Sequence, residues 1–206
     1  MDTVELMNFA DIPRPAFGRA ARHAATPPPH RSRAHPRRHR QAKTAAELLP
    51  ELPAPGEAVH CLMTGGYDLG QVVAAAVALK PARRLRIATL CYSRRNAAEL
   101  LGLVEAKAVG TLTVLVSEFF RGHNKELHEW FAGEVQAYPG CRVAAARSHC
   151  KVVCFDYSGS DGLVFEGSAN LRTNGNREQL VATRDRALHD WHAGWIDEMV
   201  GTDGEG

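Results

Sequence analysis

The run Ser148-His149-Cys150-Lys151-Val152-Val153-Cys154-Phe155-Asp156, followed ten residues later by Gly167-Ser168-Ala169-Asn170 and then by Asn176-Arg177-Glu178-Gln179, gathers the reactive side chains of this sequence into one short region. Residues 150–156 read as a strand, and alternation along it predicts that His149 and Lys151 share a face. An imidazole beside a fixed ammonium suits a phosphoester, since one group attacks while the other holds the non-bridging oxygens. Ser168 and Asn170 repeat the spacing and offer a hydroxyl and an amide to the same oxygens. Gly167 permits close backbone approach. Glu178 is the acceptor expected to fix the tautomer of His149. Asp156 falls on the opposite strand face and reads as structural support.

Outward from this region the elements alternate. Strands are expected at 59–63, 85–92, 111–116, 142–145, 163–167 and 178–183. Helices are expected at 69–80, capped by Asp68 and ended by Pro81, at 96–109, closed by Gly110, at 124–138 and at 187–200. Alternating elements that turn into a run of strands predict an α/β fold, a mixed sheet with helices on both faces. Arg121 to Lys125 reads as a loop between a strand and a helix, a phosphate-contact candidate or a plain surface turn. Arg94, Arg95, Arg172 and Arg177 are further backbone-contact candidates. Trp130, Phe131, Trp191 and Trp195 read as core or subunit contacts, and His189 and His192 as decoration of a solvated helix face.

The 206 residues, 45% hydrophobic and 23% charged, suit one globular domain. No run approaches the roughly 18–20 apolar residues of a membrane span, and no stretch has the pattern of a signal peptide. Five cysteines, an odd number, then read as free thiols in a reducing, cytoplasmic compartment. The Cys150-x3-Cys154 spacing lacks the pairing of a structural zinc centre, so no metal is expected. Net charge hides an asymmetry. Residues 1–50 carry nine Lys+Arg against four Asp+Glu, while the remainder carries sixteen against nineteen. With six prolines and few large apolar residues between 13 and 43, residues 1–50 are expected to form a disordered basic arm. That arm either neutralises nucleic-acid phosphates or is a solvated leader without a partner. Residues 51–201 form the expected folded domain and 202–206 a tail.

His149-x-Lys151, four further residues and Asp156, then Gly167-Ser168-x-Asn170, resembles the HKD signature of the phospholipase D superfamily. From about residue 53 to 200 the order of elements is similar to its small bacterial endonucleases, which carry one motif per chain. One departure stands out: ten residues separate Asp156 from Gly167 where the family has about six, and the excess has hairpin-turn composition. The resemblance implies metal-independent, cofactor-free phosphodiester hydrolysis with His149 as nucleophile. Lys151, Ser168, Asn170 and Glu178 would assist, and Asp156 and Gly167 would be structural. It also implies a homodimer, because a second histidine must protonate the leaving oxygen. Nucleic acid, DNA ahead of RNA, is the expected substrate, contacted by Arg121, Lys125, Arg172 and Arg177, with no membrane partner. A phospholipid phosphodiesterase and a non-catalytic nucleic-acid-binding module are the alternatives.

Overall fold

The computed structural model describes residues 37–64, 66–173 and 175–202. Over these the chain runs β1 (Arg37–Ala42), α1 (Ala45–Leu48), β2 (Ala58–Met63), α2 (Leu69–Leu79), β3 (Ala82–Thr89), α3 (Arg94–Glu105) and β4 (Val109–Ser117). It continues with α4 (Glu118–His123), α5 (Lys125–Val135), β5 (Arg142–Ala146), β6 (Val152–Asp156), β7 (Gly162–Gly167), β8 (Glu178–Thr183) and α6 (Arg186–Thr202). The strands join in one sheet of order β1-β2-β8-β7-β6-β3-β4-β5. β1 is parallel to β2, and β3, β4 and β5 are parallel to one another. The ladders β2–β8, β8–β7, β7–β6 and β6–β3 are antiparallel. Only β6 and β8 therefore run against the rest, giving the expected mixed α/β sheet.

Period two divides the strands between two cores. Leu85, Ile87, Val153, Phe155, Leu163 and Phe165 pack with Val72 and Val73 of α2, Leu100 of α3 and Phe131 of α5. On the opposite face Ala88, Leu115, Cys154 and Val164 meet Ile196 and Val200 of α6. Each large side chain buried this way contributes about 1.5–3 kcal/mol. Asp68 starts α2 with a full capping box: it accepts from Gln71 N at 3.2 Å while Gln71 Oε1 accepts from Asp68 N at 3.1 Å.

Several expectations change. Residues 37–50 belong to the folded unit rather than to a disordered arm. Arg37–Ala42 pairs along β2, the Ala42 carbonyl accepts from Thr64 and Tyr67 hydroxyls at 2.9 and 3.1 Å, and Leu48 and Leu49 are buried. Residues 1–36 and 203–206, the remainder of the expected arm and nearly all of the tail, lie outside the described residues. α3 ends at Glu105, with Lys107 in the left-handed region (φ 56°), and Gly110 sits inside β4. Arg121 to Lys125 is not a loop: it spans the end of α4 and the start of α5. His189 and His192 are 1% and 5% exposed, because α6 lays them on the sheet. His189 sits over the start of β7, where any Cβ on Gly162 would come within 2.8 Å of its ring. His192 accepts from Trp195 Nε1 at 3.0 Å and donates from Nε2 to Glu166 at 3.1 Å. Burial lowers the pKa of His189.

Candidate active site

The strand directions bring the expected reactive residues to one edge of the sheet. β7 ends at Gly167 and delivers Ser168 and Asn170; β6 begins at Val152, directly after His149 and Lys151; β8 begins at Glu178. The carboxyl ends of β2, β3, β4 and β5 open on the same edge, the position where open α/β sheets place ligands.

His149 and Lys151 do not meet through strand alternation, since residues 147–151 precede β6 as irregular chain. A local turn does it instead. Ser148 Oγ accepts from Cys150 N at 3.3 Å, and Lys151 Nζ lies 2.8 Å from His149 Nδ1 and 2.7 Å from the His149 carbonyl oxygen. An ammonium has no lone pair, so Nδ1 accepts and a neutral ring carries its proton on Nε2. Burial lowers the Lys151 pKa, against the charge of Cys150, Cys91 and Glu178. Cys150 is exposed and Cys154 is buried.

The second half of the motif is tightly framed. Gly167 N donates to Lys151 O at 3.2 Å and joins the two halves. A Cβ at Gly167 would stand 2.2 Å from the Gln179 carbonyl oxygen, so only glycine fits where β7 and β8 approach. Ser168 donates to Glu178 Oε2 and accepts from Gln179 N. Asn170 Oδ1 accepts from Thr89 Oγ1 at 3.3 Å and Leu90 N at 3.2 Å, which fixes its amide against the end of β3.

The sequence pattern marks Asp68 only as a helix cap, yet it is the hub that anchors the loop after β7. Fully buried, it accepts from Asn96 Nδ2 at 3.0 Å, Arg95 at 2.7 Å and Thr173 Oγ1 at 2.7 Å. Arg95 is thereby a structural residue, and Arg94 covers the Trp130 ring at 4.2 Å. Of the other cations, Arg172 and Arg177 are exposed on the segment between β7 and β8, and Arg121 and Lys125 are exposed on α4 and α5. Arg147, absent from the sequence-based candidates, is exposed two residues before His149 and bonds Glu118 at 3.4 Å.

Asp156 occupies the far end of β6. It is buried and receives Arg83 at 3.3 Å and Arg186 at 3.2 Å. The lengthened hairpin turns at this same end, about 17 Å from His149 along five strand residues. It leaves the reactive edge open. There Asp161 takes a bidentate Arg184 at 2.8 and 2.7 Å and Lys80 at 2.5 Å; the Arg184 contact, reinforced by Lys80, lowers its pKa to about 2 against the effect of burial.

No protein-family model and no curated protein sequence matches the chain. Solved structures do. Polyphosphate kinase from Porphyromonas gingivalis superposes with TM-score 0.50 and 12% identity over 71% of this chain and 26% of that one. Phosphatidylserine synthase from Haemophilus influenzae gives TM-score 0.50 and 13% identity over 71% and 39%. Yeast tyrosyl-DNA phosphodiesterase 1 gives 0.40 and 12% over 61% and 31%. The matched region thus spans about a quarter to two fifths of the two nearer enzymes. What the chain shares with those two is the fold, a mixed sheet flanked by helices.

Proposed function

We propose that this protein is a single-motif member of the phospholipase D superfamily. It hydrolyses nucleic-acid phosphodiester bonds, DNA ahead of RNA, without a metal ion, through a phosphohistidine and as a homodimer. The observation that carries this reading is the convergence of His149 and Lys151, 2.8 Å apart, with Ser168, Asn170 and Glu178 at one edge of the sheet. Exposed Arg147, Arg172, Arg177, Arg121 and Lys125 on the neighbouring segments supply the local positive charge that a polyanion needs. Among the described residues no helix is long and apolar enough to cross a membrane.

A bound phosphodiester draws Lys151 from the imidazole to its non-bridging oxygens, Ser168 turns its hydroxyl from Glu178 to the same oxygens, and the Asn170 amide donates beside it. The ring proton shifts to Nδ1, held by Glu178, and Nε2 becomes the nucleophile. Nε2 forms a bond to phosphorus as the bond from phosphorus to the leaving oxygen breaks. That oxygen takes a proton from the partner subunit's His149. The partner imidazole, now neutral, accepts a proton from water, whose oxygen attacks phosphorus. The N–P bond breaks, its electron pair returns to His149, and a phosphomonoester leaves.

The test is incubation with labelled DNA, RNA and phospholipid vesicles in excess EDTA. The expected result is cleavage of DNA that persists under chelation, with acid-labile phosphate on His149. Activity abolished by EDTA and restored by magnesium or zinc overturns the mechanism; turnover of vesicles alone overturns the substrate class. Mixing wild type with excess His149→Ala tests the composite site. Activity per wild-type chain falls steeply as mixed dimers form, and constant activity means that each chain works alone.

A further inference from the structure

Among the described residues, large apolar side chains are almost all buried or half-buried. The exposed ones among them are Leu79, at 45%, and Phe119, at 61%. Leu79 ends a helix and needs no explanation. Phe119 is different, because its exposure is built in. Its neighbour Phe120 is buried, with its ring 4.6 Å from that of Tyr92, and this fixes the rotation of α4. Consecutive helical residues lie about 100° apart, so seating Phe120 turns Phe119 outward. The exposed ring is also held in place. His123, one turn on, packs against it with centroids 4.1 Å apart and planes at 35°, and donates from Nδ1 to the Phe119 carbonyl at 2.8 Å.

The surroundings of this pair are polar, with charges of both signs. Arg121 is exposed on the same helix and Lys125 on the next, where Lys125 lies 3.7 Å from Glu129. A cleft of about 380 Å³, whose lining includes Lys125 and Glu126, follows from Gly122 to Leu127. The pair adjoins the reactive edge, since Glu118, the residue before Phe119, receives Arg147, two residues from His149. A protein interface core is depleted in charge, whereas a rigid, exposed aromatic face on polar ground next to a phosphate-binding edge is the kind of platform on which unpaired bases stack.

We infer that Phe119 and His123 form a stacking platform for a nucleobase adjoining the phosphate held at His149. This inference rests on the nucleic-acid reading above and deepens it. A base inside a duplex already has both faces covered, so the platform selects single-stranded or locally opened substrate.

The experiment uses the full-length protein with three substrates: a single-stranded DNA of mixed sequence, the same strand carrying abasic sites, and bis(p-nitrophenyl) phosphate. Phe119→Ala should weaken binding of the normal strand about 5- to 100-fold, and Phe119→Trp should restore it. On the abasic strand the wild type and Phe119→Ala should bind alike. Equal binding of the normal strand by the two proteins overturns the platform while leaving the nucleic-acid reading intact. A wild type that hydrolyses bis(p-nitrophenyl) phosphate but binds no oligonucleotide overturns that reading and the platform with it. Sedimentation of Phe119→Ala as a monomer where the wild type is a dimer overturns the platform in favour of a subunit contact.

Discussion

At one end of the hairpin formed by β6 and β7, Asp156 receives Arg83 and Arg186 while Asp161 receives Arg184 and Lys80. At the other end Lys151 points its ammonium at an imidazole nitrogen and a carbonyl oxygen. Both ends are rich in charge and lie on the same two strands. At the first end the charges satisfy one another, and ion pairing holds the Asp161 carboxyl down at about 2. At the second, burial lowers the Lys151 pKa, so the cation is held at some cost and gains most from an anion that arrives from outside. Charge closed within the chain stabilises the fold; charge left incomplete stays open to an incoming anion.

That contrast is broken most directly at His149. Its side chain is exposed, so His149→Ala should leave the melting temperature within about 2 °C of wild type. Turnover should fall by about a thousandfold or more, the usual effect of deleting a covalent nucleophile. Asp161→Asn should do the reverse, lowering stability with turnover kept. A His149→Ala protein with wild-type turnover would erase the distinction between the two ends.

The two glycines that bound β7 sharpen it. A Cβ at Gly167 would meet backbone, 2.2 Å from Gln179 O, and one at Gly162 would meet the His189 side chain at 2.8 Å. Either alanine variant should cost about 1–3 kcal/mol as overpacking, read from urea midpoints. Only Gly167→Ala also displaces Ser168, so it alone should lower kcat on a small phosphodiester. Equal kcat in both variants would mean that the reactive edge tolerates a shift of β7.

A smaller effect belongs to pH. Asp161 has its pKa lowered from 3.8 to about 2, so its pairing with Arg184 and Lys80 stabilises the fold fully above the unfolded value. That stabilisation is lost as pH falls from about 4 towards 2, and amounts to roughly 1–2 kcal/mol after solvent screening. Urea midpoints should drop through this window for the wild type. Asp161→Asn should start lower at pH 6 and show a shallower drop. Parallel curves would show that the hairpin pairing is energetically idle.

How much of this was legible follows the range of the forces involved. α2 was readable with both its ends, because the Asp68 cap, the apolar stripe and Pro81 are local signals. The strands β2, β4 and β8 carry short runs of β-branched and apolar residues, and that composition marks them. β1 has three arginines and a histidine in six residues; it is a strand only because β2 offers its edge and Thr64 and Tyr67 hold Ala42. α4 hides because Phe119-Phe120 continues the apolar character of β4. The spacing of the motif named the residues that would converge, but their partners are tertiary facts. Lys151 reaches His149 through the turn at Ser148, Glu178 binds Ser168, and Asp68 anchors Thr173. His189 and His192 look amphipathic on a helical wheel and are buried only because Gly162 leaves room and Glu166 supplies a partner.

The mildest test concerns the N-terminal cations, which the fold divides into two groups. Arg37, Arg38 and Arg40 belong to β1, where Arg40 donates to the Leu48 carbonyl at 3.2 Å. Removing residues 1–44 would therefore strip an edge strand along with charge. Removing 1–36 takes away Arg14, Arg19, Arg22, Arg31 and Arg33 and leaves every described element in place. On single strands each phosphate neutralised adds about 0.7 to the slope of log K against log salt. If these arginines reach the substrate, the truncated protein should bind DNA more weakly at low salt with a slope smaller by about 1–3. Hydrolysis of bis(p-nitrophenyl) phosphate, too small to span from the arm to His149, should stay unchanged. Superimposable salt titrations would place all functional charge at the reactive edge itself, on Arg147, Arg172, Arg177 and their neighbours, and would leave the first 36 residues a passive leader.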